Sequence, residues 1–151
     1  MNLQEELKAL KERIAELEEL AKDEQEFPQD GDGYWYIDDE GYILKEKWDG
    51  LDFEEYRLAM GNIFKTKDQA EFAAEKLKVE AELRKFSTSF VLYNENWFLV
   101  LADTQQDVMP LYENREVTQG AIYFESKEKA EEAVKSVGVD RIKKYLFGVE
   151  E

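Results

Sequence analysis

The first 26 residues place apolar side chains at intervals of 4, 3, 4, 3 and 4 residues. This average period of 3.5 residues is typical of a helix that packs a narrow apolar seam against another helix. Residues 2–26 are therefore predicted to form one helix, and residues 1–26 are assigned to a coiled-coil oligomerisation region. The seam consists of Leu3, Leu7, Leu10, Ile14, Leu17 and Ala21.

The charges beside this seam indicate how copies of the helix align. Glu6 and Arg13 take g positions of the heptad, and Lys11 and Glu18 take the e positions that follow them. In a parallel assembly both pairs join opposite charges across the interface. The segment from Arg13 to Glu18 also resembles the trimerisation motif of short parallel coiled coils. We predict a homotrimer, with a dimer as the alternative, assembled through Leu3, Leu7, Leu10, Arg13, Ile14, Leu17 and Glu18.

A second interpretation of the same pattern is a single amphipathic helix that docks on its own domain, since three heptads are few. The pattern ends in residues 27–33, where Phe27-Pro28 and two glycines separated by Asp32 are typical of a linker. The remaining residues, 34–151, are long enough for one compact domain.

Within this domain, residues 64–71 align without gaps with residues 124–131. The two stretches share Phe, Lys, Ala and Glu, and each has Thr or Ser where a helix cap is expected. Aromatic and β-branched runs precede each copy and predict antiparallel strands. The expected fold is α+β, with a mainly antiparallel sheet made of two similar strand-strand-helix units over residues 34–86 and 90–147.

Short strands and one hairpin are predicted from the same composition. Residues 34–48 are predicted to form a β-hairpin around an acidic turn, and residues 53–60 are ambiguous between helix and strand. Further strands are predicted at residues 61–65, 90–93, 97–101, 108–112 and 120–124.

The composition excludes several kinds of chemistry. The chain has no Cys and no His, so thiolate sites, disulfides and imidazole catalysis are absent. No glycine-rich phosphate loop is present, and the acidic cluster around residues 30–40 has Trp35 where a calcium loop needs Gly. We predict that the protein is not an enzyme and uses no cofactor and no metal.

Charge and hydropathy restrict the partners. With 20 basic and 36 acidic residues the net charge is −16, which opposes direct nucleic-acid binding. No apolar run approaches the roughly 18 residues that a membrane span requires, and the N-terminus is polar, so neither a membrane segment nor a signal peptide is expected. The absence of Cys fits a reducing cytoplasm.

Two sets of residues are candidates for binding a partner. The first is aromatic: Tyr34, Trp35, Tyr36 and Trp48 lie in or beside the predicted hairpin, where alternate rings must face away from the core. Such rings serve either a partner or a neighbouring subunit. The second set comprises the basic clusters of this acidic chain, which either cap helix C-termini or bind a phosphate-bearing ligand near a subunit junction. These clusters contain Arg84, Lys85, Arg141, Lys143 and Lys144.

Several strings of the domain resemble a family of small acidic accessory proteins from phages and prophages of Gram-positive bacteria. The resemblance covers about residues 31–148 and rests on residues 61–67, 76–79, 83–86, 140–145 and 147–148. It implies a bacterial host cytoplasm and an accessory or anti-defence role, and it implies no catalytic residues.

The favoured hypothesis is a non-enzymatic, oligomeric binding protein that blocks or sequesters a host factor. In its first form the acidic surface engages a basic host protein, and the net charge favours this form. In its second form the basic clusters hold a small nucleotide signal between subunits. A structural or assembly protein of the virion, in which the coiled coil organises copies, is a further alternative.

Overall fold

The structure is a computed structural model, and it describes residues 2–24, 26–102 and 107–150. Helices and strands follow one another along the chain in a mixed order, which confirms the predicted α+β class. Both sheets are two-stranded, one formed by β1 and β2 and the other by β3 and β4. The elements are α1 (Leu3–Glu24), β1 (Gly33–Ile37), β2 (Ile43–Lys47), α2 (Asp52–Ala59), α3 (Lys67–Arg84), β3 (Asn96–Leu101), β4 (Val108–Glu113), α4 (Lys127–Val137) and α5 (Val139–Phe147).

The internal repeat is visible in the backbone pairing. Trp35 of β1 exchanges two hydrogen bonds of 2.8 and 2.9 Å with Phe64, and Trp97 of β3 exchanges two of 3.1 and 2.7 Å with Phe124. Each Phe then leads into a helix. Each copy is thus a hairpin, a single bridge to the first strand of that hairpin, and a helix.

The helix of each copy begins in the same way. The Thr66 hydroxyl accepts a hydrogen bond of 3.2 Å from the Gln69 N–H, and the Ser126 hydroxyl accepts one of 3.0 Å from the Lys129 N–H. These side chains satisfy N–H groups that the first turn of a helix leaves free. Both predicted caps are therefore confirmed.

Three of the predicted strands are shorter than expected or missing. Of residues 61–65 and 120–124, only Phe64 and the pair Tyr123 and Phe124 form bridges. The reason is that Gly61 and Gly120 adopt φ angles of 75° and 77°, which turn the chain just before each bridge. Residues 90–93 form no strand, because the Asn96 side chain bonds both backbone groups of Val91 and because Tyr93 has a φ of 68°, which extended backbone does not allow. The ambiguous segment 53–60 is helical, in α2.

The chain divides into two compact units that differ from the predicted repeat units. The first comprises Met1–Tyr36 and Leu44–Lys65, and the second comprises Ile37–Ile43 and Thr66–Glu151. Helix α3, which we assigned to the first repeat, belongs to the second unit. The cause is packing, because Val79 and Leu83 of α3 are buried in one core cluster with residues of α4 and α5.

The core of the first unit is small and aromatic. Tyr34, Tyr36 and Trp48 are buried, and Phe27 and Ile63 pack against them. Phe27 lies in the predicted linker, so at least this part of the linker belongs to the folded unit. In the part of the chain that the structure describes, no helix combines the length and the apolar character needed to cross a bilayer.

Candidate functional site

Helix α1 exposes its apolar seam to solvent. Leu3 is 83% exposed, Ile14 is 54% exposed and Leu17 is 48% exposed. A helix docked on its own domain would bury one face, whereas every described side chain of α1 is exposed. The Arg13 guanidinium lies 3.1 Å from the Glu16 carboxylate of the same helix, and both side chains are mostly exposed, so this pair contributes little stability. The seam is therefore an apolar surface without a partner in the described single chain.

The predicted aromatic site divides between the two faces of the first hairpin. Tyr34, Tyr36 and Trp48 are 0%, 7% and 6% exposed, and their rings contact one another with the Tyr34 centroid 6.0 Å from each of the other two. Their burial makes them core residues, and it argues against our prediction that they bind a partner. Trp35 points to the other face because side chains alternate along a strand. It is partly exposed, with the Lys45 ammonium 5.5 Å from its ring.

The buried rings support a network of charged groups that the sequence did not reveal. The Tyr34 hydroxyl donates a hydrogen bond of 2.6 Å to the carboxylate of Glu54, which is 1% exposed. The other Glu54 oxygen accepts bonds of 2.9 and 3.2 Å from the backbone N–H groups of Asp49 and Leu51. Glu54 thus joins the start of α2 to the first strand of the hairpin.

Arg57, one turn further along α2, completes this network. Its guanidinium donates bonds of 2.8 Å to the Tyr34 hydroxyl and 3.0 Å to the Glu46 carboxylate, and it lies 3.6 Å from the centre of the Tyr36 ring. The Tyr36 hydroxyl donates to the other oxygen of Glu46 at 3.1 Å. Among the described residues, no buried side-chain polar atom lacks a hydrogen-bond partner. A closed network of this kind stabilises the unit and offers no free group for chemistry.

Burial and hydrogen bonding in this network shift the pKa values of its members. Burial raises the pKa of Tyr34, and the hydrogen bond to Glu54 raises it further. Burial also acts to raise the pKa of Glu54, but the hydrogen bonds from Tyr34, Asp49 and Leu51 outweigh it and hold that pKa below its ordinary value. Glu54 is therefore an ionised buried carboxylate at neutral pH.

The structure brings two of the predicted basic residues to one carboxylate of the second unit. Arg141 of α5 donates to the two oxygens of Glu82 on α3, at 2.6 and 3.4 Å. These hydrogen bonds hold the pKa of Glu82 below its ordinary value, and the charge of Lys85 contributes to the shift. Arg141 and Lys85 therefore already face a negative charge, which competes with any phosphate group.

The other three basic residues have separate surroundings. Arg84 lies 3.4 Å from Glu80 on its own helix. The Lys144 ammonium lies 5.3 Å from the ring of Tyr145, and the backbone oxygen of Lys143 accepts a bond from the Val149 N–H at the end of α5. These contacts pair Arg84 locally but include neither a basic side chain that caps a helix C-terminus nor a phosphate site, so both interpretations of the basic clusters stay predictions.

A cleft of about 350 Å³ in the second unit is the candidate binding site that the sequence did not indicate. This cleft lies among α3, α5, β3 and the segment 120–122. Lys76, Glu80 and Arg84 are the charged residues that line it. Its apolar lining includes Leu83, Leu99, Ile122, Phe124, Leu146 and Phe147.

A second polar residue that sequence reasoning missed organises the loop before β3. Asn96 is 3% exposed, and its amide nitrogen donates to the backbone oxygens of Val91, Asn94 and Glu113 at 2.9, 2.9 and 3.0 Å. Its side-chain oxygen accepts from the Val91 N–H at 2.8 Å. Asn96 lies between the strands predicted at residues 90–93 and 97–101, and nothing in the sequence distinguished this buried amide from its exposed neighbours.

The excess of negative charge has a measurable consequence. Because a chain of net charge −16 repels itself and salt screens that repulsion, we expect added salt to raise the midpoint of thermal unfolding. Thermal unfolding followed by circular dichroism at low and moderate ionic strength measures the shift. A midpoint that stays constant or falls would show that the charges are already paired or too far apart to interact.

Within the described ranges, no group of three or more acidic side chains is arranged to hold a metal ion. No family model, no curated protein and no solved structure matches this chain.

Proposed function

We propose that this protein is a non-enzymatic, self-associating binding protein of the bacterial host cytoplasm that blocks or sequesters a basic host protein. The observation that carries the proposal is the exposed heptad seam of α1, in which Ile14 is 54% exposed and Leu17 is 48% exposed. In coiled coils another helix covers an apolar seam of this kind, and the hydrophobic effect favours that burial. Self-association is therefore the first step of the proposed function.

A parallel trimer would place the acidic domains of its three chains at the same end of the coiled coil. A trimer carries three times the charge of one chain, and each chain has a net charge of −16. Linked copies bind a repeated or extended partner more tightly than one copy does, since the later contacts are intramolecular. A basic protein surface, such as one that handles nucleic acid, is the partner that this charge fits.

The charge pairing supports this form over sequestration of a nucleotide. Arg141 donates to Glu82 at 2.6 Å, so a phosphate group at that position would have to displace a carboxylate. The alternative of a virion assembly protein shares the coiled coil with our proposal and differs in its partner. Binding to a soluble basic host protein distinguishes the two.

The experiment is an affinity capture from bacterial host lysate with the immobilised full-length protein. We expect a basic protein to be captured in a fixed ratio to the chain and to be released by moderate salt. The Ile14→Asp variant should capture it about tenfold less well or worse because it loses linkage between copies. The Ala15→Asp variant carries the same charge change next to the seam and serves as the control. Capture of a nucleotide instead, or equal capture by both variants, would contradict the proposal.

Duplex DNA should not bind. DNA binding depends on Lys and Arg side chains that replace the counterions of the phosphate groups. A chain with a large excess of carboxylates repels those phosphate groups instead. A gel-shift experiment at physiological salt with micromolar protein is expected to show free DNA only. A shifted band at that concentration would overturn the acidic-blocker hypothesis.

A further inference from the structure

The backbone of β3 offers hydrogen-bonding groups alternately to its two sides. The pairing of β3 with β4 aligns Trp97 with Tyr112 and Leu99 with Pro110. The Ala102 N–H donates to Asp107 on the β4 side, whereas the Trp97 N–H donates to Phe124 on the opposite side. Because these directions alternate along a strand, the backbone groups of Leu99 and Leu101 point away from β4, as those of Trp97 do.

This outer edge of β3 is paired at one end only. After the bridge between Trp97 and Phe124, the next pair in the same register would be Leu99 and Ile122. That pair is not formed, and the outward backbone groups of Leu99 and Leu101 have no hydrogen-bond partner among the described residues. The chain turns at Gly120, where φ is 77°, and the pairing with β3 does not extend past the bridge of Trp97 with Phe124. The edge therefore has free donors and acceptors beyond its first pair.

The opposite edge of the same sheet is protected. Pro110 of β4 is aligned with Leu99, and its backbone nitrogen carries no hydrogen. Proline at such a position is a common way to block the pairing of an edge strand with another chain. Pro110 thus removes one outward donor from the β4 edge, whereas the β3 edge keeps the outward N–H groups of Leu99 and Leu101.

The cleft lies on this open edge, since Leu99 and Ile122 are both among its lining residues. Its volume of about 350 Å³ is at the low end for a small-molecule site and is ample for one large side chain. Lys76 lines the cleft and makes no ion pair among the residues that the structure describes, and Arg84 has only the exposed pair with Glu80 at 3.4 Å. In a strongly acidic protein this lining has a local excess of positive charge.

We propose that the β3 edge binds an extended acidic peptide by strand addition. The peptide backbone pairs with Leu99 and Leu101, a large apolar side chain enters the cleft, and an acidic residue of the peptide faces Lys76 and Arg84. An extended strand fits this edge, because alternate residues of a strand repeat with the same spacing as Leu99 and Leu101, whose outward backbone groups are free. The inference does not rest on the proposed function, because it concerns an acidic segment and a different surface.

The test begins with the selection of binding peptides from a random dodecapeptide library on the intact protein. The affinities of the selected peptides are then measured with synthetic copies. We expect peptides that combine a large apolar residue with acidic residues. The Leu101→Pro variant removes one outward N–H and leaves the pairing of β3 with β4 intact, as Pro110 does on the other strand. It should bind roughly fivefold to tenfold more weakly, whereas the control Leu101→Val should bind normally.

A second pair of variants tests the charge. Lys76→Glu should weaken the same peptides severalfold, while Lys78→Glu, which changes a lysine paired with Glu75 on the same helix and outside the cleft lining, should not. Peptides methylated at alternate backbone nitrogens test the backbone pairing without altering the protein. This experiment keeps the test valid even when the Leu101→Pro variant does not fold. One of the two alternating methylation patterns should abolish binding. No selected peptide, equal tolerance of both methylation patterns, or equal effects of the two lysine variants would overturn the proposal.

Discussion

The Ile14→Asp variant is expected to be a monomer at micromolar concentration. Ile14 lies at the centre of the apolar seam of α1 and is 54% exposed in the single chain. In a coiled coil this side chain is buried, so the substitution would place one carboxylate per chain in the interface. An unpaired buried charge costs several kcal/mol, which exceeds what three heptads supply. Gel filtration with light scattering measures the change in mass.

The control for this prediction is Ala15→Asp, which adds the same charge at the adjacent outward position. Ala15 is exposed and lies outside the seam. We expect Ala15→Asp to keep the mass of the unmodified protein, and both variants to keep the circular dichroism of the folded domain. Dissociation of both variants to the same extent would point to general charge repulsion instead of a specific seam.

Replacement of Glu54 with Ala is expected to lower the free energy of unfolding by about 3 kcal/mol. The substitution removes the acceptor of three hydrogen bonds, from the Tyr34 hydroxyl and from the backbone N–H groups of Asp49 and Leu51. Donors left without a partner in a buried site cost more than the bonds themselves contribute. Urea unfolding followed by tryptophan fluorescence measures the loss, because Trp48 is buried in the same cluster.

The matched control is Glu55→Ala, which removes an exposed carboxylate from the next position of α2. It should change the free energy of unfolding by less than about 0.5 kcal/mol. An equal loss for both variants would mean that the charge of the helix terminus, and not the buried network, stabilises the unit.

The same carboxylate predicts how stability depends on pH. The pKa of Glu54 is lowered in the folded protein from its ordinary value of 4.5. Its contribution is therefore complete above about pH 4.5 and is lost as the pH falls through the lowered folded value. The difference in stability between the unmodified protein and Glu54→Ala should be large at pH 7 and should shrink in stronger acid. A difference that is constant across this range would show that Glu54 contributes through packing alone.

The sequence predicted the fold correctly at positions where the local sequence alone determines a helix or its cap. Thr66 and Ser126 were recognised as caps because a hydroxyl at that position satisfies the free N–H groups of the first turn. The period of α1 was recognised because the apolar positions repeat without interruption from Leu3 to Ala21, within a helix of 22 residues. The first predicted unit closes with a helix and ends at residue 86, and α3 ends at Arg84.

Features that depend on tertiary contacts were not predictable in the same way. Nothing in the sequence distinguishes Glu54, which is 1% exposed, from the exposed Glu55 beside it, since the difference arises from the position of Tyr34. The burial of Tyr36 and Trp48 depends likewise on which face of the hairpin the core covers. The cleft was missed because it results from a ladder that stops after one bridge, and the turn at Gly120 that stops it is a property of the folded backbone.

The mass of the unmodified protein in solution tests the central claim most directly. If the exposed seam of α1 assembles copies in parallel, gel filtration with light scattering at micromolar concentration should give three times the mass of one chain. Twice that mass would keep the coiled coil and replace the trimer with a dimer. The mass of a single chain, under conditions in which circular dichroism shows a folded protein, would contradict self-association and the function proposed from it.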